Sequence, residues 1–334
     1  MKRFLLKSLL YSLPILVPVI IFCCFINPYI SGDIGPLGYV TFPKGYAEGI
    51  SITNKVVNCE YNFADYQENG ILTIGDSFSQ TSNREISYNY FMAECWEGKV
   101  YNLSQDWYSN PFNRFIYLSK TQKMPKIVVI ESVERYLIER LNGITLNLHA
   151  EEMIARKKVD TTRVESHSEK KSILEKTQEW LKREMHIKGY ENPIYAAKLS
   201  KPLFSCQEME NDLYFYCEDV SRMNPHDTLI HSALEKLDSL FNYADSINVD
   251  LYVLIAADKY EVYQDYIVNN KYKNQDLLDE IEKSYTNSRL INSKDTLHKM
   301  LKEGVLDVYW SNNTHWSPVG SNAVAKQVLR TINN

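Results

Sequence analysis

Short apolar runs alternate with longer stretches of mixed polarity along most of the chain. Residues 71–75 (ILTIG), 126–132 (KIVVIES) and 251–257 (LYVLIAA) are apolar runs of strand length, and 99–103 (KVYNL) is a weaker one. Runs of this kind are typical of strands that are buried on both faces of a sheet. The pattern therefore predicts an α/β fold, a three-layer parallel sheet with helices on both faces.

The stretches between these runs have the spacing and the capping residues of helices. Ser317 and Pro318 form a cap-and-first-residue pair that opens the last helix, which is predicted to end near Ile332. Asn224 and Pro225 predict another helix start by the same logic, with an end near Ile247. The remaining predicted helices cover residues 84–96, 113–120 and 295–303, and the last is followed by a short run at 306–310.

Residues from about 138 to 221 interrupt this rhythm. Charged side chains are dense here, and Glu169 to Met185 has apolar positions at helical spacing. We interpret this stretch as a solvated helical insertion in preference to a dedicated binding module.

The first thirty residues differ from the rest of the chain. Lys2, Arg3 and Lys7 precede an apolar run over residues 9–26, which is about the minimum length that crosses a bilayer. This charge asymmetry predicts a single-pass inner-membrane anchor (1–30) with the body on the periplasmic, extracytoplasmic side. A cleaved signal peptide is the alternative, but no A-x-A-like site follows the run. The predicted divisions are then a Gly- and Pro-rich linker or wrap over 31–60 and a globular domain over 61–334.

Composition narrows the range of partners. The chain has 334 residues with a formal charge of −5 and no Lys/Arg-rich block, so nucleic acid is not expected as a partner. No CxxC, HExxH or comparable spacing predicts a metal site. Four cysteines lie outside the apolar run: Cys59, Cys95, Cys206 and Cys217. An extracytoplasmic location would allow them to form two disulfides, and Cys206–Cys217 is the expected pair.

A candidate nucleophile follows the first predicted buried strand. Residues 75–79 read Gly-Asp-Ser-Phe-Ser, and ligands of open α/β sheets bind outside the carboxyl ends of the strands. Ser77 would be exposed there, beside backbone N–H groups that can stabilise an oxyanion. Asp76 could equally be a turn residue that caps the next element, and Ser79 is a second choice of nucleophile or a hydrogen-bonding residue of the helix start.

A candidate base lies near the other end of the chain. His315 belongs to the polar segment Asn-Thr-His-Trp-Ser-Pro (313–318), directly before the last predicted helix. A histidine in a polar loop can serve as a general base for a hydroxyl nucleophile. The other six histidines are expected to be surface or packing residues: His149, His167, His186, His226, His231 and His298.

Weaker candidates lie at the ends of other predicted strands. Asn102 or Ser104 could be an oxyanion donor. Glu131, Glu134 and Arg135 could line the cleft or form an internal Glu–Arg ion pair. Lys259 is expected to be a solvated lysine.

Together these segments resemble the SGNH hydrolase superfamily and, within it, the AlgX/AlgJ-type O-acetyltransferases of alginate and other exopolysaccharides. The resemblance is carried by GDSFS, by the later Thr-His-Trp-Ser-Pro-x-Gly segment, by residues 129–137 (VIESVERYL), and by Ala257-Asp258-Lys259 with Tyr263. It covers about residues 70–137 and 225–330. In the alginate enzymes the His-bearing block comes first, whereas here the Ser-bearing block does.

The resemblance implies a serine-dependent O-acetyltransferase without metal or cofactor. Ser77 would carry the acyl group, His315 would be the general base, and a polysaccharide would accept the group. A separate integral-membrane acyltransferase would supply the acyl donor. The family has Asp-Thr-His-Trp, whereas this chain has Asn313, which can orient the imidazole but cannot stabilise its charged form. The alternatives are therefore an esterase of the same fold, or a catalytically impaired carbohydrate-binding or assembly protein.

Overall fold

The computed structural model describes residues 11–14, 17, 56–58, 67–80, 87–104, 110–147, 194–206, 209–222, 225–272 and 277–334. The strands are β1 (Val56–Asn58), β2 (Ile71–Gly75), β3 (Val100–Ser104), β4 (Ile127–Val133), β5 (Ile194–Lys198), β6 (Asp212–Tyr216), β7 (Asp250–Ala256) and β8 (Leu290–Asn292). Six of them form the main sheet, all parallel, in the order β1-β3-β2-β4-β7-β8. A separate antiparallel pair is formed by β5 and β6.

Strand β2 lies between β3 and β4, and Ile71 is in register with both Val100 and Ile127. The chain therefore leaves β2 towards one side of the sheet and returns to the other side for β4. Leaving β1 aside, this is the 2-1-3-4-5 order of doubly wound sheets, in which ligands bind where the order reverses. The carboxyl ends of β2 and β4 are the expected location of a site.

Besides the helical residues 11–14 and 17, nine α-helices accompany the strands in the described part of the chain. They are α1 (Tyr88–Cys95), α2 (Pro111–Thr121), α3 (Glu134–Asn142), α4 (Glu218–Ser221), α5 (Asp227–Ser246), α6 (Lys259–Tyr263), α7 (Leu277–Ser284), α8 (Ser293–Lys302) and α9 (Pro318–Asn333). Helices α1, α8 and α9 pack together, and so do α2, α3 and α5. The predicted α/β fold with a parallel sheet flanked by helices is confirmed, and this arrangement is compatible with three layers.

Two helix starts predicted from capping residues can be compared with the structure. Ser317 accepts hydrogen bonds from the N–H groups of Val319 (3.0 Å) and Gly320 (3.4 Å), so the predicted start of α9 is correct. Helix α5 begins at Asp227, two residues after Pro225, because the His226 ring accepts the Thr228 N–H (3.4 Å) as its cap. The predicted start at Asn224 and Pro225 is therefore wrong. Residues 306–310 contribute only an isolated bridge from Tyr309 to Trp316.

The described part of the predicted solvated helical insertion contains a buried pair of strands. Helix α3 continues through Asn142, and β5 and β6 form a hairpin whose Leu213 and Phe215 are completely buried. Apolar alternation in β6 buries one face of the hairpin in the core, so this part is neither wholly helical nor solvated. The helix predicted over residues 169–185 lies outside the described residues.

The expected Cys206–Cys217 disulfide is absent, and neither cysteine forms a disulfide with another described residue. The two residues lie beyond opposite ends of β6, whose five extended residues span about 17 Å. A disulfide requires Cα atoms less than about 7 Å apart. The short separation in sequence was therefore misleading, because the extended strand β6 lies between the two cysteines.

The two terminal segments of the predicted division are described only in small part. No helix among the described residues has the length and apolar composition needed to span a bilayer. Most of the predicted anchor (1–30) and linker (31–60) lies outside those residues. Strand β1 falls within the predicted linker and pairs with β3, so the sheet begins before residue 61.

Candidate functional site

The serine turn, residues 75–79, follows β2 directly. Ser77 opens a one-turn 3-10 helix, Ser77–Ser79, and Asp76 caps it by accepting the Phe78 N–H (3.2 Å). Phe78 and Ser79 are buried, whereas Ser77 is partly exposed. The turn thus presents one hydroxyl group to solvent at the carboxyl end of the central strand.

Gly75 is required for this turn because no side chain fits there. A Cβ atom at this position would lie 2.1 Å from the Ser79 Oγ and 2.4 Å from the Glu131 Oε2. Both distances are far below van der Waals contact. The Gly-Asp-Ser sequence therefore reflects close packing between β2, the turn and β4.

The histidine loop, residues 310–317, precedes α9 and is fixed by hydrogen bonds to the start of α6 and the end of β7. The Lys259 Nζ donates to the carbonyl groups of Trp310 (2.7 Å) and Ser311 (2.9 Å). The Trp316 indole N–H donates to the Tyr309 hydroxyl (2.9 Å), which donates to the Ala257 carbonyl group (2.6 Å). Lys259 is only 1% exposed, so its expected role as a solvated lysine is wrong.

His315 and Asn313 form the hydrogen-bonded pair that the motif predicts. The Asn313 Oδ1 lies 2.6 Å from the His315 Nδ1 and accepts the His315 backbone N–H (2.9 Å). Because the backbone N–H needs an acceptor, the amide oxygen must face the histidine. The neutral imidazole then carries its proton on Nδ1, which leaves the Nε2 lone pair as the base.

The serine turn and the histidine loop contact each other through Phe78. Its ring centroid lies 4.8 Å from that of His315 and 4.7 Å from that of Trp316. Ser77 and His315 line the same small pocket, together with Phe78, Gln80, Ser87, Trp316 and Ser321. The fold therefore brings the predicted nucleophile and base to one pocket.

Asp307 does not replace the missing carboxylate. It has a positive φ of 54°, and its Oδ1 accepts the Ser205 N–H (3.0 Å). The oxygen beside the His315 Nδ1 belongs to Asn313. The orienting position of this site is thus occupied by a neutral amide.

Two buried carboxyl groups meet at the serine turn: Asp76 belongs to the turn, and Glu131 reaches it from β4. The Glu131 Oε2 accepts the Asp76 N–H and the Ser79 hydroxyl, both at 2.9 Å. Asp76 accepts hydrogen bonds from the Arg140 guanidinium (2.7 Å) and the Val133 N–H (3.3 Å). Glu131 was predicted as a cleft residue, but it is completely buried and contacts the turn from inside.

The remaining predicted site residues make contacts within the protein. Asn102 donates to the Ser79 carbonyl group (2.9 Å) and accepts the Thr73 hydroxyl (3.0 Å), so its amide supports the serine turn. Arg135 forms an ion pair with Asp258 and lies 3.4 Å from Asp219, which replaces the predicted Glu–Arg pair. The side chain of Ser104 lies outside the described part of the chain.

The electrostatics follow from burial and from these pairs. Burial raises the pKa of Asp258 above its ordinary value, although the Arg135 charge opposes the shift. Sequence reasoning missed Arg140 and wrongly predicted that Lys259 is solvated, because nothing in the pattern distinguishes either residue from a surface residue. Phe78 was also missed, although its apolar ring between two serines was a usable signal.

Comparisons with protein-family models, with curated proteins and with solved structures find no match for this chain. No group of three His, Cys, Asp or Glu side chains suited to a metal ion occurs among the described residues.

Proposed function

We propose that this protein is an SGNH-type O-acyltransferase that works through an acyl-Ser77 intermediate. The observation that supports this most directly is the shared pocket of Ser77 and His315, with Phe78 packed on the imidazole. The hydrogen bond that the His315 Nδ1–H donates to the Asn313 Oδ1 gives the base a defined tautomer. Nucleophile, base and orienting group are the three parts of a triad.

The proposed reaction has two half-steps. The Ser77 Oγ attacks the carbonyl carbon of an acyl donor while the His315 Nε2 takes the hydroxyl proton. The tetrahedral intermediate collapses, its bond to the leaving group breaks, and the imidazolium protonates that group. A hydroxyl group of the acceptor then attacks the carbonyl carbon of acyl-Ser77 while His315 takes its proton. The bond to the Ser77 Oγ breaks, the imidazolium returns the proton to Ser77, and the acceptor leaves with the acyl group. Water in place of the acceptor gives the esterase alternative.

The start of the 3-10 helix offers an oxyanion site. The N–H groups of Phe78 and Ser79 bond to Asp76, so the Ser77 N–H, at the first position of this helix, is the donor that it offers. Such groups stabilise the negative oxygen of a tetrahedral intermediate. The amide of Asn102 is bonded to the turn itself, so the backbone is the better source of donors.

The small pocket favours a short acyl group, with acetyl as the simplest case. By resemblance, the acceptor is a cell-surface polysaccharide, and the donor reaches the site from a separate integral-membrane acyltransferase. The predicted inner-membrane anchor would hold the domain on the periplasmic side, where such a polymer is modified. These assignments are parts of the proposal.

The test uses the whole chain in detergent solution with p-nitrophenyl acetate. We expect a burst of nitrophenol and a mass increase of one acetyl group on the peptide that contains Ser77. Ser77→Ala should abolish the adduct, and His315→Ala should slow its formation by orders of magnitude.

Matched controls are available on helix α5. Ser239→Ala and His231→Ala change exposed residues of the same types and should leave the rate unchanged. Background hydrolysis that is equal in all five proteins would contradict the proposal.

Asn313 supports a second candidate, a carbohydrate-binding or assembly protein whose catalytic site is impaired. An amide orients His315 but does not stabilise the imidazolium that forms during proton transfer. Polysaccharide binding without acyl-Ser77 formation would favour this candidate.

A further inference from the structure

Glu131 bonds to both sides of the proposed nucleophile. Its Oε2 accepts the backbone N–H of Asp76, before Ser77, and the hydroxyl of Ser79, after it, each at 2.9 Å. The side chain is completely buried and reaches the turn from β4. One carboxyl oxygen therefore fixes the spacing of the two residues between which Ser77 projects.

The charges around Glu131 do not balance if it is ionised. Asp76 is a second buried carboxyl group, and it takes the hydrogen bond of Arg140, the one cation that bonds to this pair in the described residues. No hydrogen-bond donor among the described residues reaches the Glu131 Oε1, and a buried carboxylate oxygen without a donor is costly, so the site disfavours the ionised form. Burial and the Asp76 charge raise the pKa of Glu131 well above its ordinary value.

Asp76 is the ionised member of the pair. Burial would raise its pKa, but the charge and hydrogen bond of Arg140 bring the pKa of Asp76 below its ordinary value. A hydrogen bond with the Glu131 carboxyl group acts in the same direction.

The other titratable groups near Glu131 do not supply a second positive charge. Tyr88, on α1, lies 3.4 Å from the Ser79 hydroxyl, and burial raises its pKa. Asp258, after β7, is ion-paired with Arg135. Arg140, on α3, bonds to Asp76 and to the Ser132 hydroxyl.

We propose that Glu131 is a positioning residue that must be protonated to keep Ser77 in reach of His315, so that its ionisation stops acyl transfer at alkaline pH. This rests on the proposed function of Ser77. Ionised Glu131 would place two carboxylates side by side, with one arginine bonded to Asp76. Gly75 leaves no space for the turn to adjust, because even a Cβ there would overlap Ser79 and Glu131. Repulsion would therefore open the turn.

Glu131→Gln is the informative variant because glutamine imitates the protonated acid. Its amide oxygen can accept the same two hydrogen bonds, and its NH₂ group can donate to Asp76. We expect kcat for p-nitrophenyl acetate within about threefold of wild type at neutral pH, because the turn keeps its geometry. Wild-type kcat should fall at alkaline pH, and Glu131→Gln should lack that fall. Glu131→Ala should lose about a hundredfold in kcat if it folds.

A matched control is Glu139→Gln on α3, an exposed glutamate that pairs with Arg222. It should keep the wild-type pH profile. Glu131→Gln that folds but is inactive would overturn the proposal, because the carboxyl group would then act in the chemistry itself. An unchanged alkaline fall in Glu131→Gln would also overturn it.

Stability provides a readout that does not depend on activity. A glutamate whose folded pKa is raised stabilises the protein below its unfolded pKa, near 4.3, and that stability is lost as the pH rises to the folded pKa. The Tm of wild type should therefore fall relative to that of Glu131→Gln as the pH rises. Parallel Tm curves would overturn the protonated state of Glu131. Absence of acyl-Ser77 at every pH, with diverging Tm curves, would instead reject the proposed function alone.

Discussion

At the scale of single residues, Asn313 is the position where the site departs most from a complete triad. Its Oδ1 accepts both the backbone N–H and the Nδ1–H of His315, so the amide already orients the ring. What it lacks is the negative charge that stabilises imidazolium in the transition state. Asn313 therefore orients the imidazole of His315 without stabilising its positive charge.

Asn313→Asp should therefore raise kcat/KM for p-nitrophenyl acetate by about tenfold or more, because the carboxylate keeps both hydrogen bonds and adds the charge. Steady-state kinetics at neutral pH measure this effect.

Asn312→Asp is the matched control for this prediction. It adds a carboxylate one residue away, at another buried asparagine of the same loop, without replacing the oxygen beside Nδ1. We expect no gain from it. A gain of equal size in both variants would show that the added charge acts generally and not through the His315 hydrogen bond.

Gly75 also has a role that can be tested on its own. Gly75→Ala should lower the free energy of unfolding by about 1–3 kcal/mol, because its Cβ would overlap Ser79 and Glu131 in a packed interior. Acyl-Ser77 formation should fall with it. Chemical denaturation measures the first effect and the nitrophenol burst the second.

Gly143→Ala is the comparison, because its Cβ would approach no neighbour closer than 3.0 Å. It should cost clearly less stability and leave the burst intact. Equal losses in both variants would contradict the requirement for glycine in the serine turn.

At the scale of elements, the position of the histidine loop depends on a buried lysine at the start of α6. Lys259 donates to two consecutive carbonyl groups, Trp310 and Ser311, and its ammonium group lies 5.1 Å from the centroid of the Phe204 ring. The loop is thereby bonded to the end of β7 before it reaches Asn313 and His315. This explains how a loop without regular structure can place a base.

Lys259→Met should remove both hydrogen bonds and leave two carbonyl groups without that donor, at a cost of about 1–3 kcal/mol. Because the displaced loop carries His315, kcat should fall more than KM changes. The measurement is steady-state kinetics at a temperature where the variant is fully folded by circular dichroism.

Lys201→Met is the control, since its Nζ also donates to a carbonyl group, that of Leu301 at 3.2 Å, but outside the histidine loop. It should leave kcat unchanged. A Lys259→Met variant that is destabilised yet retains full kcat would show that Lys259 stabilises the fold without positioning His315.

Some of the strands and helices could be predicted from the sequence, and others could not. Strands β2, β3, β4 and β7 and helix α9 were found within a residue or two, because apolar runs and a Ser-Pro cap are local signals. The β5–β6 hairpin was missed because it lies in a charged stretch and is only two short strands. Helix α5 began later than predicted because a histidine, an uncommon cap, replaced the expected one.

At the scale of the whole molecule, strand order decides whether the site exists, and strand order cannot be read from local patterns. The resemblance predicted that Ser77 and His315 belong together, and the sheet places β2 at its centre with β3 and β4 on either side. The buried network of Asp76, Glu131 and Arg140 was not predictable, because it needs three elements to meet. Residue types could suggest the chemistry but not which carboxyl groups face inward.

If the two segments form one catalytic unit, their substitutions should not be additive. Ser77→Ala and His315→Ala should each abolish most of the acyl transfer, because each removes a group that the other requires. The double variant should then be no slower than the slower single variant. Two independent sites would instead give the product of the two losses.

The cycle is measured as kcat/KM for p-nitrophenyl acetate in the four proteins, with Ser77→Ala and His231→Ala as the reference pair. His231 lies on α5 and pairs with Glu235, away from the pocket that contains Ser77. That pair should be additive, since its members share no contact. Additivity in the Ser77–His315 cycle would mean that the contact through Phe78 is packing alone, and a base other than His315 would then have to be sought for the serine.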